Sequence, residues 1–514
     1  MKALKYRGIS KMLVAAMVSM LALTGCGSSN ESAPSNAANS TEATKGSQEE
    51  VVLKIWVAAN ILEGPDSPGM KIITDFNEKY KGQIRVEGTY APWETHNTAI
   101  QAAFASGDVP DLFQLPVGAT VSRYVSSDLI QPISGLVSDE WKKVFAEGSF
   151  QEGVNQLNGE IYTWPMDGPS MSYMLYYNKD VLKNAGLDPN NPPKSWDELR
   201  EMAKTVTSKG NGDIYGVAFP GGALPRFTQN TVAGFAIGAA PGSNPFGFNY
   251  QTGKYDIDSK AWVDSVNFLL DLKKDGSILP SSFALKVQEA QVLFAEGKIA
   301  FLLDGRWAMS NIKKSHPNAQ FGMSHIPTPD GSMPVYPYTL ALNERGIVVS
   351  KTTKHPEAVA KFIEEGIGSE AFYKYNLQAG TSLTPIPKVN EDKSNYPYPE
   401  MEQFEQVHSN VLRLAPDVLV RNPEQTAVYS EIGALEQSKL KPSSAEIFKM
   451  LLNETEKDVQ GKLKETADKM NKQLAEGIDK VKGKGSNVTL DDYVFPNWNP
   501  SQDYLKKDYE SIKK

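Results

Sequence analysis

The stretch VVLKIWV (Val51–Val57) decides the fold, because it is apolar, β-branched and of strand length. Downstream, residues 70–80 carry apolar side chains at helical spacing, and Ile84–Tyr90 (IRVEGTY) alternates as a strand does. Residues 95–105 then indicate a second helix, and residues 111–115 (DLFQL) a third strand. This order predicts an α/β fold with a parallel sheet covered by helices. Ligands of such sheets lie beyond the carboxyl ends of the strands.

Length and composition narrow the classes of protein. A chain of 514 residues exceeds what one core supports, so two or more packing units are expected. The net charge is −8 and no basic stripe is present, which argues against a nucleic-acid partner. Cys26 is the single cysteine, so an internal disulfide framework and a cysteine-rich metal site are excluded.

The N-terminus has the pattern of an export signal. Within residues 1–25, a positively charged start precedes an apolar segment that is too short for a typical membrane span. The segment ends in Leu23-Thr24-Gly25-Cys26, which resembles the lipobox of bacterial lipoproteins and implies acylation of Cys26. A plain secretory peptide with an incidental cysteine is the alternative. Residues 26–50 are small and polar, which predicts a disordered tether to the membrane.

Four motifs, in one order along the chain, carry a family resemblance. They are ASGDVPDLF (105–113), YYNKDVL with PKSWDEL (176–182 and 193–199), FAEGKIAF with DGRW (294–301 and 304–307), and KHPEA (354–358). Together they resemble the family 1 extracellular solute-binding proteins, which are maltose-binding-protein-like. Length and lipobox are similar to those of the sugar-binding lipoproteins that serve ABC importers in Gram-positive bacteria.

The resemblance implies a two-lobed periplasmic-binding-protein-like fold (type II), with the ligand cleft between lobes joined by several hinge crossings. Lobe one is expected at 51–165 plus 325–378, and lobe two at 166–324 plus 380–485. The crossings are expected near residues 164–167, 325–327 and 381–387. Residues 486–514 form a C-terminal extension that we expect to wrap the surface of a lobe, with a role at the rim of the cleft left open.

Several conspicuous motif residues have structural explanations. Ser195 and Glu198 are spaced as a capping box at the start of a helix. Asp111 follows a proline at the start of a strand, where a role in the turn is expected. Glu357 follows His355-Pro356 in the first turn of a helix, where a negative charge suits the helix dipole. Ligand contacts are therefore expected between these positions.

Sugar rings present apolar faces to aromatic side chains and hydroxyl rims to polar ones. The resemblance places a stacking tryptophan at Trp307, for which a core position is the alternative, and a second stacking aromatic at Tyr429. It also places a polar contact at Asn60 and hinge contacts at Trp164 and Asp167. The full set of predicted ligand-binding residues is Asn60, Trp93, Gln114, Trp164, Asp167, Trp307, Tyr338 and Tyr429.

The resulting hypothesis is a lipid-anchored monomer on the extracellular face of the cell membrane. It captures a carbohydrate, expected to be an oligosaccharide, by lobe closure and passes it to the membrane subunits of an ABC permease. No cofactor and no metal are expected, because the five histidines lack ligand spacing and residues 208–213 lack the acidic positions of a calcium loop. A binder of a non-sugar solute and a glycan-active enzyme are the alternatives. A structural surface protein is disfavoured because internal repeats are absent.

Overall fold

The computed structural model describes residues 49–58, 61–116, 119–171, 173–222, 225–339, 346–439 and 441–512. The predicted export signal, Cys26 and Asn60 lie outside these residues, as does nearly all of the predicted tether. Residues 49–512 belong to one compact unit. Within the described ranges, no helix combines the length and the apolar character that a membrane span requires.

The described residues form fifteen strands and nineteen α-helices. The strands are β1 (Val51–Val57), β2 (Ile84–Tyr90), β3 (Leu112–Gln114), β4 (Ile130–Gln131), β5 (Gln156–Leu157), β6 (Glu160–Ile161), β7 (Met174–Asn178), β8 (Tyr215–Ala218), β9 (Phe248–Asn249), β10 (Lys254–Tyr255), β11 (Ile299–Asp304), β12 (Phe321–Ser324), β13 (Tyr336–Tyr338), β14 (Ile347–Ser350) and β15 (Leu412–Leu414). The helices are α1 (Pro68–Lys79), α2 (Trp93–Ser106), α3 (Val121–Ser126), α4 (Asp139–Lys143), α5 (Lys179–Asn184), α6 (Trp196–Lys209), α7 (Pro225–Ala239), α8 (Lys260–Lys274), α9 (Val287–Ala295), α10 (Ala308–Ser315), α11 (Pro356–Phe362), α12 (Glu370–Gln378), α13 (Pro387–Glu391), α14 (Glu400–Val411), α15 (Val418–Arg421), α16 (Gln425–Lys439), α17 (Ser444–Leu452), α18 (Val459–Lys482) and α19 (Lys506–Ile512).

The first sheet has the order β2-β1-β3-β14-β4 and forms the centre of lobe one. Strand β1 pairs in parallel with β2 and β3, so the predicted strand–helix–strand–helix–strand start of the fold is confirmed. Leu53, Ile55 and Val57 are fully buried beneath the helices, which explains the apolar run. Strand β14 returns much later in the chain and pairs antiparallel with β3 and β4.

The second sheet has the order β12-β7-β11-β8 and forms the centre of lobe two. Strand β11 pairs in parallel with β8 and antiparallel with β7. Every residue of β7 and β11 is buried, as expected of strands covered on both faces. The motifs at 176–182 and 294–301 overlap these two strands, so much of the family pattern is core.

The chain crosses between the lobes more than twice. It leaves the first sheet after β4, builds the second sheet from β7 to β12 and returns to the first with β14. Helix α12 still packs on lobe one, since the Tyr375 hydroxyl donates to Asp75 Oδ2 at 2.7 Å. Helix α14 packs on lobe two, where the Gln403 side chain accepts from the Met323 amide at 3.1 Å. Another crossing therefore lies between α12 and α14.

The expected local roles are confirmed. Ser195 and Glu198 form a reciprocal capping box at the start of α6. Asp111 accepts hydrogen bonds from the Lys54 amide at 2.9 Å and from the Thr353 hydroxyl at 2.5 Å, so it joins β1, β3 and the turn after β14. Pro356 begins α11, and Glu357 lies in its first turn.

The C-terminal extension packs against its own core cluster rather than projecting into solvent. Its buried aromatic residues are Tyr493, Phe495, Trp498, Tyr504 and Tyr509. They pack with Phe248 of β9 and Val428 of α16.

Candidate ligand-binding cleft

Two adjoining cavities of about 590 and 450 Å³ open between the lobes. Both volumes are in the range of small-molecule sites. The cavities share Trp307, Lys314 and Thr381, so they form one continuous cleft. The larger is lined by Ile61, Glu63, Asp66, Ser67, Pro68, Lys71, Gln114, Met166, Asp167, Arg306, Trp307, Lys314, Tyr375, Asn376, Gln378, Ala379 and Thr381. The smaller is lined by Gly222, Lys286, Val287, Gln288, Trp307, Asn311, Lys314 and Thr381.

Lobe one contributes the ends of its central strands. Gln114 closes β3, and its side-chain oxygen accepts from the Ala58 amide just past β1 at 3.0 Å. The Gln114 carbonyl lies 2.7 Å from His96 Nε2 of α2. These bonds fix the carboxyl edge of the sheet, where a ligand of a parallel sheet is expected.

Trp307 stands where β11 of lobe two ends, and it borders both cavities. Its ring lies so close over Gly305 that a Cβ at that glycine would approach the ring to 2.2 Å. Trp307 is half-buried, so part of its side chain remains accessible. A fixed, partly exposed indole offers a flat apolar surface to a ligand.

Asp304 fixes the turn that carries Trp307. Its carboxylate accepts from the Gln291 side chain at 2.9 Å and from the Gly305 amide at 2.7 Å. Burial raises the pKa of Asp304 to about 7, and hydrogen bonds from these groups and from the Trp307 side chain oppose that rise in part. The motif around Trp307 is thus a rigid support.

Asp167 occupies the first crossing and ties it to lobe two. Its carboxylate accepts from the Arg306 guanidinium at 3.0 Å and from the Ser382 hydroxyl at 2.9 Å. The same guanidinium donates to the Thr381 carbonyl at 3.0 Å. Asp167 thereby links two crossings and the strand end that precedes Trp307, while it also lines the larger cavity.

The structure brings together three of the residues predicted to bind ligand: Gln114, Asp167 and Trp307. Trp164 is 1% exposed and packs edge-on against Trp141, with ring centroids 5.9 Å apart, inside lobe one. Tyr338 is half-buried on β13, where burial raises its pKa to about 12. Tyr429 is 41% exposed on α16.

Trp164, Tyr338 and Tyr429 are not among the residues that line the two cavities. Asn60 lies outside the described residues, and Trp93 begins α2 with a side chain that the structure does not describe. Ligand contact remains a prediction for all eight positions.

Other lining residues were not anticipated from the sequence. Tyr375 and Asn376 lie on α12, where Asn376 donates to the Met166 carbonyl at 3.3 Å. Lys71 places its ammonium 6.0 Å from the centre of the Tyr375 ring. Lys286 and Lys314 approach from α9 and α10 of lobe two. A sequence signal pointed to three further lining residues: Arg306, adjacent to Trp307 in the DGRW motif, and Met166 and Thr381, which lie in expected crossings.

Two α/β lobes with a polar cleft containing an aromatic ring define a solute-binding protein. The family model of the bacterial extracellular solute-binding proteins matches residues 62–371, and the chain belongs to this family. Proteins of this family bind solutes outside the cytoplasm and serve as the solute-binding component of an ABC importer. The recognised family resemblance, the two-lobed fold and the general function are thereby confirmed.

Relatives of known name are distant. A binding protein of Brucella abortus is 23% identical over 306 residues, 59% of this chain and 69% of its own length. The sn-glycerol-3-phosphate-binding periplasmic protein UgpB of the same species is 29% identical over 273 residues, 51% of this chain and 58% of its own length. The sugar-binding protein MalE of Xanthomonas citri superposes with a TM-score of 0.60 at 17% identity, covering 85% of this chain and all of that one. At this identity, the structural likeness shows the fold alone.

Proposed function

We propose that this protein captures a carbohydrate, an oligosaccharide in the first instance, between its lobes and delivers it to the membrane subunits of an ABC permease. The observation that supports this most directly is the Trp307 ring, which borders both cavities beside hydrogen-bonding side chains. Sugar recognition requires this combination of an apolar face and a polar surround. We take the lobe boundaries to be those expected from the sequence, except that we assign residues 326–338 to lobe two. The Trp196 amide donates to the Thr328 carbonyl at 2.9 Å, and the Tyr336 hydroxyl donates to the Gly234 carbonyl at 3.0 Å. We take the protein to be a monomer.

Capture by closure requires that the ligand contact both lobes, because only then does it bind the closed form more tightly than the open form. Gln114 and Lys71 belong to lobe one, and Trp307 and Lys314 to lobe two. Asp167 lies at the crossing between them. A ligand held by both groups would shift the population toward the closed form, which the permease recognises.

A thermal-shift screen of neutral and acidic oligosaccharides tests the proposed function. A ligand at a hundred times its dissociation constant adds about 2.7 kcal/mol to the free energy of unfolding. We expect at least one oligosaccharide to raise the melting temperature. Stabilisation by sn-glycerol 3-phosphate, measured in parallel, with no sugar of the complete panel stabilising the protein, would reject carbohydrate binding.

We also propose that Cys26 is acylated and anchors the protein to the outer face of the cell membrane. The lipobox and the polar stretch that follows support this. Cys26→Ala should abolish metabolic labelling with a palmitate analogue and release the protein from the membrane fraction. Labelling that persists in the variant contradicts the proposal.

Two alternatives have specific support or a specific test. The UgpB relatives favour a phosphorylated polyol as a non-sugar ligand. A glycan-active enzyme would need two carboxylates across the scissile bond. Of the carboxylates that line the larger cavity, Glu63 and Asp66 lie on one exposed loop of lobe one, and Asp167 is engaged with Arg306. Prolonged incubation with a bound oligosaccharide should release no product.

A further inference from the structure

The smaller cavity is positively charged, although the chain as a whole carries a net charge of −8. Lys286 and Lys314 line it together with the amides Gln288 and Asn311 and the Trp307 ring. No carboxylate is among the described residues that line it. Lobe two therefore surrounds its aromatic surface with cations and hydrogen-bonding amides.

These two cations have no ion-pair partner in the described part of the chain, where no carboxylate oxygen lies within 4.0 Å of either ammonium. The neighbouring Lys313 differs, since it pairs with Glu400 at 2.6 Å. Arg306 is neutralised by Asp167 at 3.0 Å. The positive charge of the smaller cavity thus resides on Lys286 and Lys314.

Helix stability does not explain both lysines. Lys314 lies in the last turn of α10, where a cation suits the helix dipole. Lys286 is the N-cap residue of α9, where a cation is unfavourable for the same reason and where Ser, Thr, Asp or Asn is preferred. The Glu289 carboxylate accepts a hydrogen bond from the Lys286 backbone amide at 2.9 Å. This bond caps the start of α9, so the Lys286 side chain is not needed for capping.

We propose, on the basis of the function proposed above, that the ligand is an anionic carbohydrate whose carboxylate or phosphate binds between Lys286 and Lys314. Its sugar ring lies on Trp307, and the amides of Gln288 and Asn311 contact its hydroxyl groups. An ammonium gives a charge-assisted hydrogen bond to such an anion, which is stronger than a neutral one. A neutral sugar would leave both cations of the cavity without a counter-ion.

Isothermal titration with matched probes tests this inference. The anionic probes are three uronate trisaccharides (galacturonate, mannuronate and a glucuronate-substituted xylose trimer) and a phosphorylated sugar, glucose 6-phosphate. The neutral probes are maltotriose, xylotriose and galactotriose. We expect a uronate or the phosphate to bind at least tenfold more tightly than every neutral probe, with an affinity that falls as salt rises. Whether the uronates or the phosphate bind more tightly shows whether the natural ligand carries a carboxylate or a phosphate.

The double variant Lys286→Gln/Lys314→Gln should weaken anion binding at least thirtyfold and remove most of the salt dependence. Lys298→Gln is the matched control, because Lys298 is exposed at the opposite end of β11. Tight binding of a neutral probe, or anion binding unchanged in the double variant, would overturn the inference and leave carbohydrate capture standing. Failure of every sugar and of the phosphate would reject the proposed function and the inference together.

Discussion

At the scale of single residues, the DGRW motif illustrates what the sequence could and could not predict. The family pattern pointed to Trp307, and the structure places the residue at the border of both cavities. The pattern did not reveal that position 305 must be glycine because the indole ring occupies the space that a Cβ would need. That contact depends on the path of the turn after β11, which no spacing of residue types encodes.

The account predicts that Trp307 supplies much of the affinity. Trp307→Ala should weaken binding of the cognate sugar at least tenfold, about 1.4 kcal/mol, because the stacking surface is lost. Trp307→Phe should retain most of the affinity, since it keeps an aromatic face. The affinities are measured by titration, with melting curves as the control for folding. An unchanged affinity in Trp307→Ala would mean that the ring is not in contact with the ligand.

A second variant tests whether the position of the Trp307 ring, and not only its presence, is needed for binding. Gly305→Ala places a methyl group where the ring now lies, so the indole must move and binding should weaken although Trp307 remains. Gly135→Ala is the matched control, because an added Cβ there meets no atom within 4 Å. Equal affinities for the two variants would show that the ring position is not important.

Asp304 should make stability depend on pH. Its pKa is about 7 in the folded protein, against an ordinary value of 3.8. Between these two pH values, Asp304 is protonated in the folded state and ionised in the unfolded state. The contribution of Asp304 to the free energy of unfolding therefore decreases as pH rises from about 4 to about 7.

Burial acts in the opposite direction at His408, whose pKa is lowered to about 4. That histidine adds stability as pH rises from about 4 to its ordinary value of 6.5. Asp304→Asn should remove the loss of stability that Asp304 causes as pH rises and leave the gain that His408 causes. Chemical denaturation should therefore show that the free energy of unfolding increases more between pH 4 and pH 7 in the variant than in the native chain. Parallel pH profiles of the two proteins would contradict a buried, proton-holding Asp304.

At the scale of elements, the prediction from sequence was most accurate for strands and helix ends whose signal lies within a few neighbouring residues. The strands Val51–Val57 and Ile84–Tyr90 have the predicted bounds, because alternation along a strand is a short-range signal. The capping box at Ser195 followed from three residues of spacing. Lining residues such as Tyr375 and Lys286 could not be predicted, because they meet only after segments far apart in sequence pack together.

The C-terminal extension should stabilise lobe two. Trp498 is 3% exposed and packs edge-on against Tyr250 at 5.0 Å between ring centroids. Trp498→Ala should lower the free energy of unfolding by about 3 to 5 kcal/mol, the usual cost of a lost buried aromatic. Leu490→Ala in the same extension is the control, because Leu490 is 47% exposed and its loss should change stability by about 0.5 kcal/mol or less. Similar denaturation midpoints for both variants would show that the extension does not contribute to the core.

At the scale of the whole molecule, function depends on two lobes that share one ligand. The order of the motifs predicted two lobes, and the two separate sheets show why: each buries its own strands under its own helices. The crossings near Asp167 and Thr381 are tied together through Arg306, which gives the lobes a defined connection beside the cleft. The identity of the ligand is not encoded at this scale, because one fold serves many solutes.

Small-angle X-ray scattering with and without a saturating oligosaccharide tests the central claim most directly. Contacts to both lobes favour the closed form, so the radius of gyration should decrease when the sugar binds. Trp307→Ala should reach the same decrease only at a sugar concentration at least tenfold higher, because its affinity is at least tenfold lower. A radius that stays constant in the native protein, although titration shows the site to be saturated, would contradict capture by lobe closure.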